Sequence, residues 1–283
     1  MSSLREIKDR IGSVKSTLKI TSAMKLVASS KLRKAQRAIE TLRPYEETLG
    51  QILSSMSSSG KGNISGIEWP EGKKKKIAVV AISSNSSLCG GFNGNVIKKV
   101  QQVLAEYAEA DVEVFSLGRK MADAMRKAGF PSAEDYTAMV AHPSYAASSA
   151  LAESICKRFT EGEFCKVILV YNHFVSTSKQ LSFAETYLPF CVEEMESHDD
   201  TDYIVEPSAS EVLEILMPQV LMLKFHAAVL DSAASEHAAR TVAMQTATDN
   251  AEELLGELTL EYNKGRQQKI TAEILDLIGG AAE

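Results

Sequence analysis

The sequence predicts an α/β protein in which a long antiparallel coiled coil of N- and C-terminal helices is joined to a central domain with a mostly parallel sheet. Three observations carry this: an apolar heptad pattern at the N-terminal end, its return over a long stretch at the C-terminal end, and alternating strand and helix signals between them.

Leu4, Ile7, Ile11, Val14 and Leu18 follow the alternating three and four spacing of a coiled-coil seam. Near Ile20 the phase slips, and a second seam is expected through Met24, Ala28, Ala35, Ala38, Leu42, Tyr45, Leu49, Ile52 and Met56. Such a slip changes the local winding of the supercoil. From about Ser210 to Ile278 the pattern returns through Val212, Leu213, Leu216, Leu223, Val229 and Leu230, then Leu254, Leu255 and Leu258. A helix of that length spans on the order of 100 Å at about 1.5 Å per residue, more than a compact domain encloses. Ala227, Ala228, Ala233, Ala234, Ala238, Ala239 and Ala243 remove bulk so that another helix can approach. The two terminal helices are therefore expected to pair within the chain, with segments 1–59 and 208–283 as the coiled coil and 73–195 as the central domain.

The break between the first helix and the domain is marked by Ser57, Ser58, Ser59, Gly60, Lys61 and Gly62, then Trp69, Pro70 and Gly72. Ile77 to Ile82 is a continuous apolar run, as in a strand buried on both faces. Further strands are predicted at Val112–Leu117, around Tyr136–Val140 and at Val167–Phe174. Helices are predicted near Asn93–Ala108, Arg119–Ala128 and Ala146–Phe159. This alternation implies βαβ units and a Rossmann-like, mostly parallel sheet, with Gln180–Leu188 as an antiparallel edge strand.

The chain has 283 residues, about a quarter of them charged, and a net charge of −6. The apolar runs Ile77–Ile82 and Val167–Tyr171 are too short to span a bilayer, and Leu213–Leu223 is interrupted by Pro218 and Gln219. With Arg5, Glu6, Lys8, Asp9 and Arg10 at the start, no signal or transit segment is expected. The composition reads as that of a cytoplasmic protein. Cys89, Cys156, Cys165 and Cys191 fit no metal or redox spacing and are expected as buried free thiols, with no metal site.

Charge is distributed unevenly. The first 45 residues hold eleven basic side chains against three acidic ones, a balance of plus eight in an acidic chain. That is either a solvated helix face or a surface for an acidic partner. Nucleic acid is disfavoured, because a basic region feeding a zipper leads into a clean leucine seam and not into a folded domain.

The loop Leu88, Cys89, Gly90, Gly91, Phe92, Asn93, Gly94 invites a nucleotide-binding reading. Its glycines lack the G-x-G-x-x-G frame, the second strand ends in Leu117, Gly118, Arg119 without the acid that holds a ribose, and no Lys-Ser or Lys-Thr pair follows. They read instead as a tight strand-to-helix turn. Cys89 as a nucleophile would need His142 or His173 as its base, and nothing in the sequence brings them together. His226 and His237 are expected on the surface or in the seam.

Three stretches resemble one family. Ile20 to Ala35 (ITSAMKLVASSKLRKA), Ala234 to Asn250 (ASEHAARTVAMQTATDN) followed by Tyr262 to Thr271 (YNKGRQQKIT), and the loop LCGGFN are similar to the gamma subunit of ATP synthase, in that family's order and across nearly the whole chain. The resemblance implies a non-catalytic rotor, the central stalk, coupling ion flow through a membrane rotor to ATP synthesis or hydrolysis. It implies as partners three alpha and three beta subunits around one copy, an epsilon subunit and a membrane c-ring, with no cofactor. It implies a peripheral place on the cytoplasmic face of a bacterial inner membrane. By position it assigns contacts with the alpha-beta hexamer to Met24, Lys25, Lys31, Arg33, Lys34, Arg240, Gln267, Thr271, Ile274, Leu277 and Ile278, and the foot on the membrane rotor to Tyr203 and Glu206. At Ser84–Ser87 the chain departs from the family, which has an acidic residue and a glycine there. The chloroplast form's cysteine pair has no counterpart between Met195 and Pro207, so no thiol switch is expected. Two rival readings make distinct demands: a Rossmann-like enzyme with helical arms would bind nucleotide in isolation, and a basic coiled coil would bind DNA with a steep salt dependence.

Overall fold

The computed structural model describes residues 3–58, 76–190, 206 and 208–280, with backbone alone for 54–58, 209, 210, 213 and 276–280. The expected break at 59–73, Cys191, the stretch from Met195 to 205 and Tyr203 lie outside the described residues.

Among the described residues ten elements follow one another: α1 (Leu4–Ser58), β1 (Lys76–Ile82), α2 (Phe92–Glu106), β2 (Asp111–Leu117), α3 (Arg119–Lys127), α4 (Thr137–Ala141), α5 (Tyr145–Thr160), β3 (Lys166–Phe174), β4 (Gln180–Leu188) and α6 (Ala209–Gly280). By packing the chain divides into two units, one of residues 1–29 with 240–283 and one of residues 30–239.

In the larger unit the sheet runs β2-β1-β3-β4. β1 pairs parallel with β2 and with β3, and β4 closes the edge antiparallel to β3. Successive side chains on a strand face opposite ways. Accordingly Ala78, Val80 and Ile82 join Leu151, Ile155, Phe225 and Val229 in a core with α5 and α6. Ile77, Val79 and Ala81 join Val96, Val100, Met121 and Met125 in a core with α2 and α3. The apolar run of β1 is thus buried on both faces.

The expected strand at Tyr136–Val140 is instead the short helix α4. Tyr136, Met139 and Val140 pack on the core at spacings of three and four, one side of a helical turn. Asp135 accepts the Thr137 N–H at 2.8 Å, which satisfies one of the free donors at the helix start. In five residues the two periodicities cannot be told apart from sequence.

His226 is another correction: it is buried and not at the surface or in the coiled-coil seam. Its Nδ1 lies 2.7 Å from Ser148 Oγ of α5, and the Tyr145 ring stands edge-on to it at 5.5 Å. Burial holds its pKa below the usual value.

α6 is long and apolar enough to cross a membrane by length and composition, and half of that window is buried inside the protein. In the larger unit this is physically explained by Leu221, Phe225, Ala228 and Val229, which pack on the sheet. The helix runs through Pro218, as α1 runs through Pro44.

Within the same unit α1 lies antiparallel to α6. Leu32 and Ala35 pack with Ala234 and Ala238, and Leu49 and Leu53 with Val220 and Leu223. The expected line Ala28, Ala35, Leu42, Leu49 faces inward, and Ile52 packs with Leu49 and Leu53 as expected, but the second line does not run through Ala38 and Tyr45. It falls one residue later, at Leu32, Ile39, Glu46 and Leu53, and Tyr45 is exposed. Both phases are legal heptads of this sequence, and Leu53, fully buried, decides between them.

Candidate contact surfaces

The smaller unit is a two-helix pair. Leu4 reaches Gly265, where a Cβ would come within 2.9 Å of its Cδ2. Further along, the Thr248 and Thr21 hydroxyls meet at 2.9 Å, both side chains buried. Lys25 Nζ donates to Gln245 Oε1 at 2.7 Å. As numbers rise on α1 they fall on α6, so the pair is antiparallel, with Ile7, Ala28, Met244, Ala251 and Leu258 buried. The phase slip near Ile20 is real: Thr21 is buried while Ile20 is 60% exposed.

The threonine pair gives one measurable expectation. Thr248→Val removes a buried hydroxyl–hydroxyl contact and should lower the unfolding free energy by about 1 kcal/mol, while the double change with Thr21→Val should recover most of that, since no polar group is left facing an apolar one. Urea unfolding of the three variants measures both.

α6 does not end where α1 begins. Past Gly265, opposite Leu4, it continues to Gly280, and residues 266 to 275 are all exposed, among them Ile270, Ile274 and Leu275. Gln267 and Thr271 lie on this stretch, where the Thr271 hydroxyl donates to the Gln267 carbonyl at 2.9 Å. The backbone of Leu277 and Ile278 is helical. Arg240 is buried. On α1, Met24 and Lys25 are half-buried. Leu26 and Val27 are 68% and 58% exposed, an apolar pair that seam reasoning passed over. Its signal was the phase slip itself, which leaves apolar residues off the seam. In the larger unit Lys31, Arg33 and Lys34 are exposed and make no ion pair with a described residue. Glu206, of the expected foot, is exposed.

The glycine-rich loop is closed on its own side chains. Asn93 Oδ1 accepts from Ser84 N and Oγ at 3.1 and 3.0 Å, and Asn93 Nδ2 donates to Cys89 Sγ at 3.1 Å. Phe92 N donates to the Cys89 carbonyl. The amides that would cradle a phosphate at the start of α2 are thereby partly satisfied within the loop. Gly90 takes a φ of 57°, where glycine is favoured, and Leu88 one of 65°. His142 and His173 are not among the partners of Cys89. His173 instead pairs with Asp231 at 2.5 Å, and Asp231 also accepts the Phe174 N–H. Burial raises the Asp231 pKa, against the lowering by these two contacts. Among the described residues no group of His, Cys, Asp and Glu could hold a metal ion.

The larger unit carries an antiparallel helix pair on a four-stranded α/β sheet, and the smaller unit is a helix pair in which one helix outruns its partner; this is the build of the chain's two parts. Solved structures share it: the rotor of Euglena gracilis mitochondrial ATP synthase has a TM-score of 0.63 at 19% identity, covering 94% of this chain and 98% of that one. The central stalk of the Tetrahymena thermophila enzyme has a TM-score of 0.59 at 20% identity, covering 81% and 99%. The family model described as ATP synthase matches residues 3–283. The gamma chain of Phocaeicola vulgatus ATP synthase is 48% identical over 291 residues, 99% of each chain, and that of Flavobacterium johnsoniae is 42% identical over 99% of this chain and 98% of its own. The chain belongs to the ATP synthase gamma-chain family.

Proposed function

We propose that the chain is the rotor subunit of an ATP synthase, turning inside a ring of three alpha and three beta subunits and doing no catalysis itself. The observation that carries this is the end of α6: a helix with Ile270, Ile274 and Leu275 exposed and, among the described residues, no partner helix beside it gains stability from an apolar bearing around it. Segments 1–59 and 208–283 form the shaft, the 73–195 domain forms the foot beside the membrane rotor, Tyr203 and Glu206 meet the membrane c-ring, and the epsilon subunit is a further partner. The complex sits peripherally on the cytoplasmic face of the bacterial inner membrane.

Coupling follows from asymmetry. One shaft presents different faces to three chemically identical beta subunits, and differential contact is what lets a partner shift a conformational equilibrium. Lys25, Lys31, Arg33 and Lys34 present positive charge to acidic levers of the beta subunits, with Met24 as an uncharged contact among them. Arg240, Gln267 and Thr271 engage the ring, and Ile274, Leu277 and Ile278 sit in its upper bearing. Exposed charges of this kind favour encounter and register more than affinity.

Co-expression with alpha and beta subunits of the same organism tests the reading. A complex of three alpha, three beta and one copy of this chain should form, with ATP hydrolysis that depends on the chain. If the chain stays alone and binds nucleotide, the central sheet is an active site and the proposal fails. Met24→Lys should leave folding intact and weaken the coupling of hydrolysis to ion pumping, because it adds a charged, hydrogen-bonding head at the contact; unchanged coupling removes Met24 from the surface.

A further inference from the structure

In the larger unit, α1 is held to α6 by two separate apolar blocks, Leu32 and Ala35 with Ala234 and Ala238, and Leu49 and Leu53 with Val220 and Leu223. Between the blocks lies a cavity of about 490 Å³ walled by α1, α6 and the β3–β4 edge. Glu46 stands there, on the inward line of Ile39 and Leu53, where the heptad repeat calls for an apolar side chain. Its carboxyl takes no hydrogen bond from a described residue. Facing it are Lys224 of α6 and Glu185 of β4, with Arg43 and Glu47 on its own helix. Glu40, Tyr171, His173 and Asp231 line the rest of the cavity.

Two of the other carboxylates, Glu185 and Asp231, are already engaged. Glu185 holds Lys224 at 3.3 Å and accepts the Tyr171 hydroxyl at 3.2 Å. Asp231 accepts from Phe174 N and is paired with His173. Glu46 is left to share a lysine that its neighbour holds. We propose that Glu46 is a proton-operated clasp: with a proton on its carboxyl, the seam closes between the two apolar blocks and seats α1 on α6 and the sheet, and without it the seam is held apart.

Burial is the largest influence on this carboxyl and raises its pKa; Lys224 opposes that and Glu185 adds to it. A folded-state value above the unfolded one means that the stabilisation is complete below the unfolded pKa and disappears as pH rises through the folded one. The clasp therefore tightens in mild acid.

Hydrogen exchange of the α1 segment 39–53 in the full-length chain, followed from about pH 5 to about pH 8 and corrected for the chemical rate, reads the clasp directly. In the wild type, protection should fall several-fold as pH rises. Glu46→Gln should keep acid-level protection throughout, and Lys224→Met should move the loss to higher pH, since it takes away the cation that favours the charged form. If Glu46→Gln retains the wild-type pH dependence, another group of the cavity is responsible and the proposal falls; a flat wild-type profile overturns it equally.

Discussion

Phe225→Ala is expected to lower the unfolding free energy by roughly 3–5 kcal/mol, the range for emptying a fully buried aromatic site. Phe225 is completely enclosed where α6 crosses the sheet face that also packs α5. Its ring lies 5.9 Å from that of Tyr187, which is itself fully buried and donates its hydroxyl to the Leu221 carbonyl at 2.8 Å. Truncation therefore leaves a cavity and also loosens a tyrosine whose hydrogen bond ties β4 to α6. Urea unfolding measures the loss, and Phe225→Leu should cost less, about 1–2 kcal/mol, because most of the volume stays filled. Equal costs for the two would mean that the site collapses around the change and that Phe225 is not an anchor of α6.

Gly118→Ala should be of similar size, about 3–5 kcal/mol, and for a different reason. Gly118 joins β2 to α3 at a φ of 101°, a conformation that L side chains rarely adopt. A Cβ there would stand 2.4 Å from the Ser83 carbonyl oxygen, a backbone atom with no room to yield. Ser83 is held in place twice, by its N–H to the Leu117 carbonyl at 2.8 Å and by its hydroxyl, which accepts the Met121 N–H at 2.8 Å. The substitution thus pries apart the ends of β1 and β2 where α3 begins. Gly94→Ala is the control: it sits inside α2 with nothing near the added methyl, and it should raise stability by up to about 1 kcal/mol through helix propensity. Thermal unfolding of both variants separates a steric cost from a general intolerance of change at glycine.

Much of the molecule was legible before any coordinates. β1 announced itself because Ile77 to Ile82 are apolar without alternation, as burial on both faces demands. The edge strand followed from a short polar turn that leaves no length for a crossover. On α1 the line Ala28, Ala35, Leu42, Leu49 was right because small and apolar residues recur at sevens. Its companion line falls one residue later than Ala38 and Tyr45, because Glu46 interrupts the otherwise apolar line of Leu32, Ile39 and Leu53, while Ile52 packs on the seam as expected. A charged residue in a seam cannot be inferred from periodicity; it is there because Lys224 and an open cavity make room for it.

The contact surfaces divide in the same way. The basic excess on α1 and the three family stretches were in the sequence, and they sufficed to point to a gamma chain. That α6 outruns α1 beyond Gly265 was not, because the offset between two helices depends on which residues meet across the pair.

By itself, then, the sequence determined most of the elements, their order and the family, because periodicity and composition are local properties of the chain. Only the tertiary structure decided which of two heptad phases faces inward, that His226 is buried against Ser148, that Tyr136 to Val140 turns as a helix, and that Glu46 stands in a cavity. Each of those depends on atoms brought together from distant parts of the chain, whose packing and charge override what a short window of residues prefers.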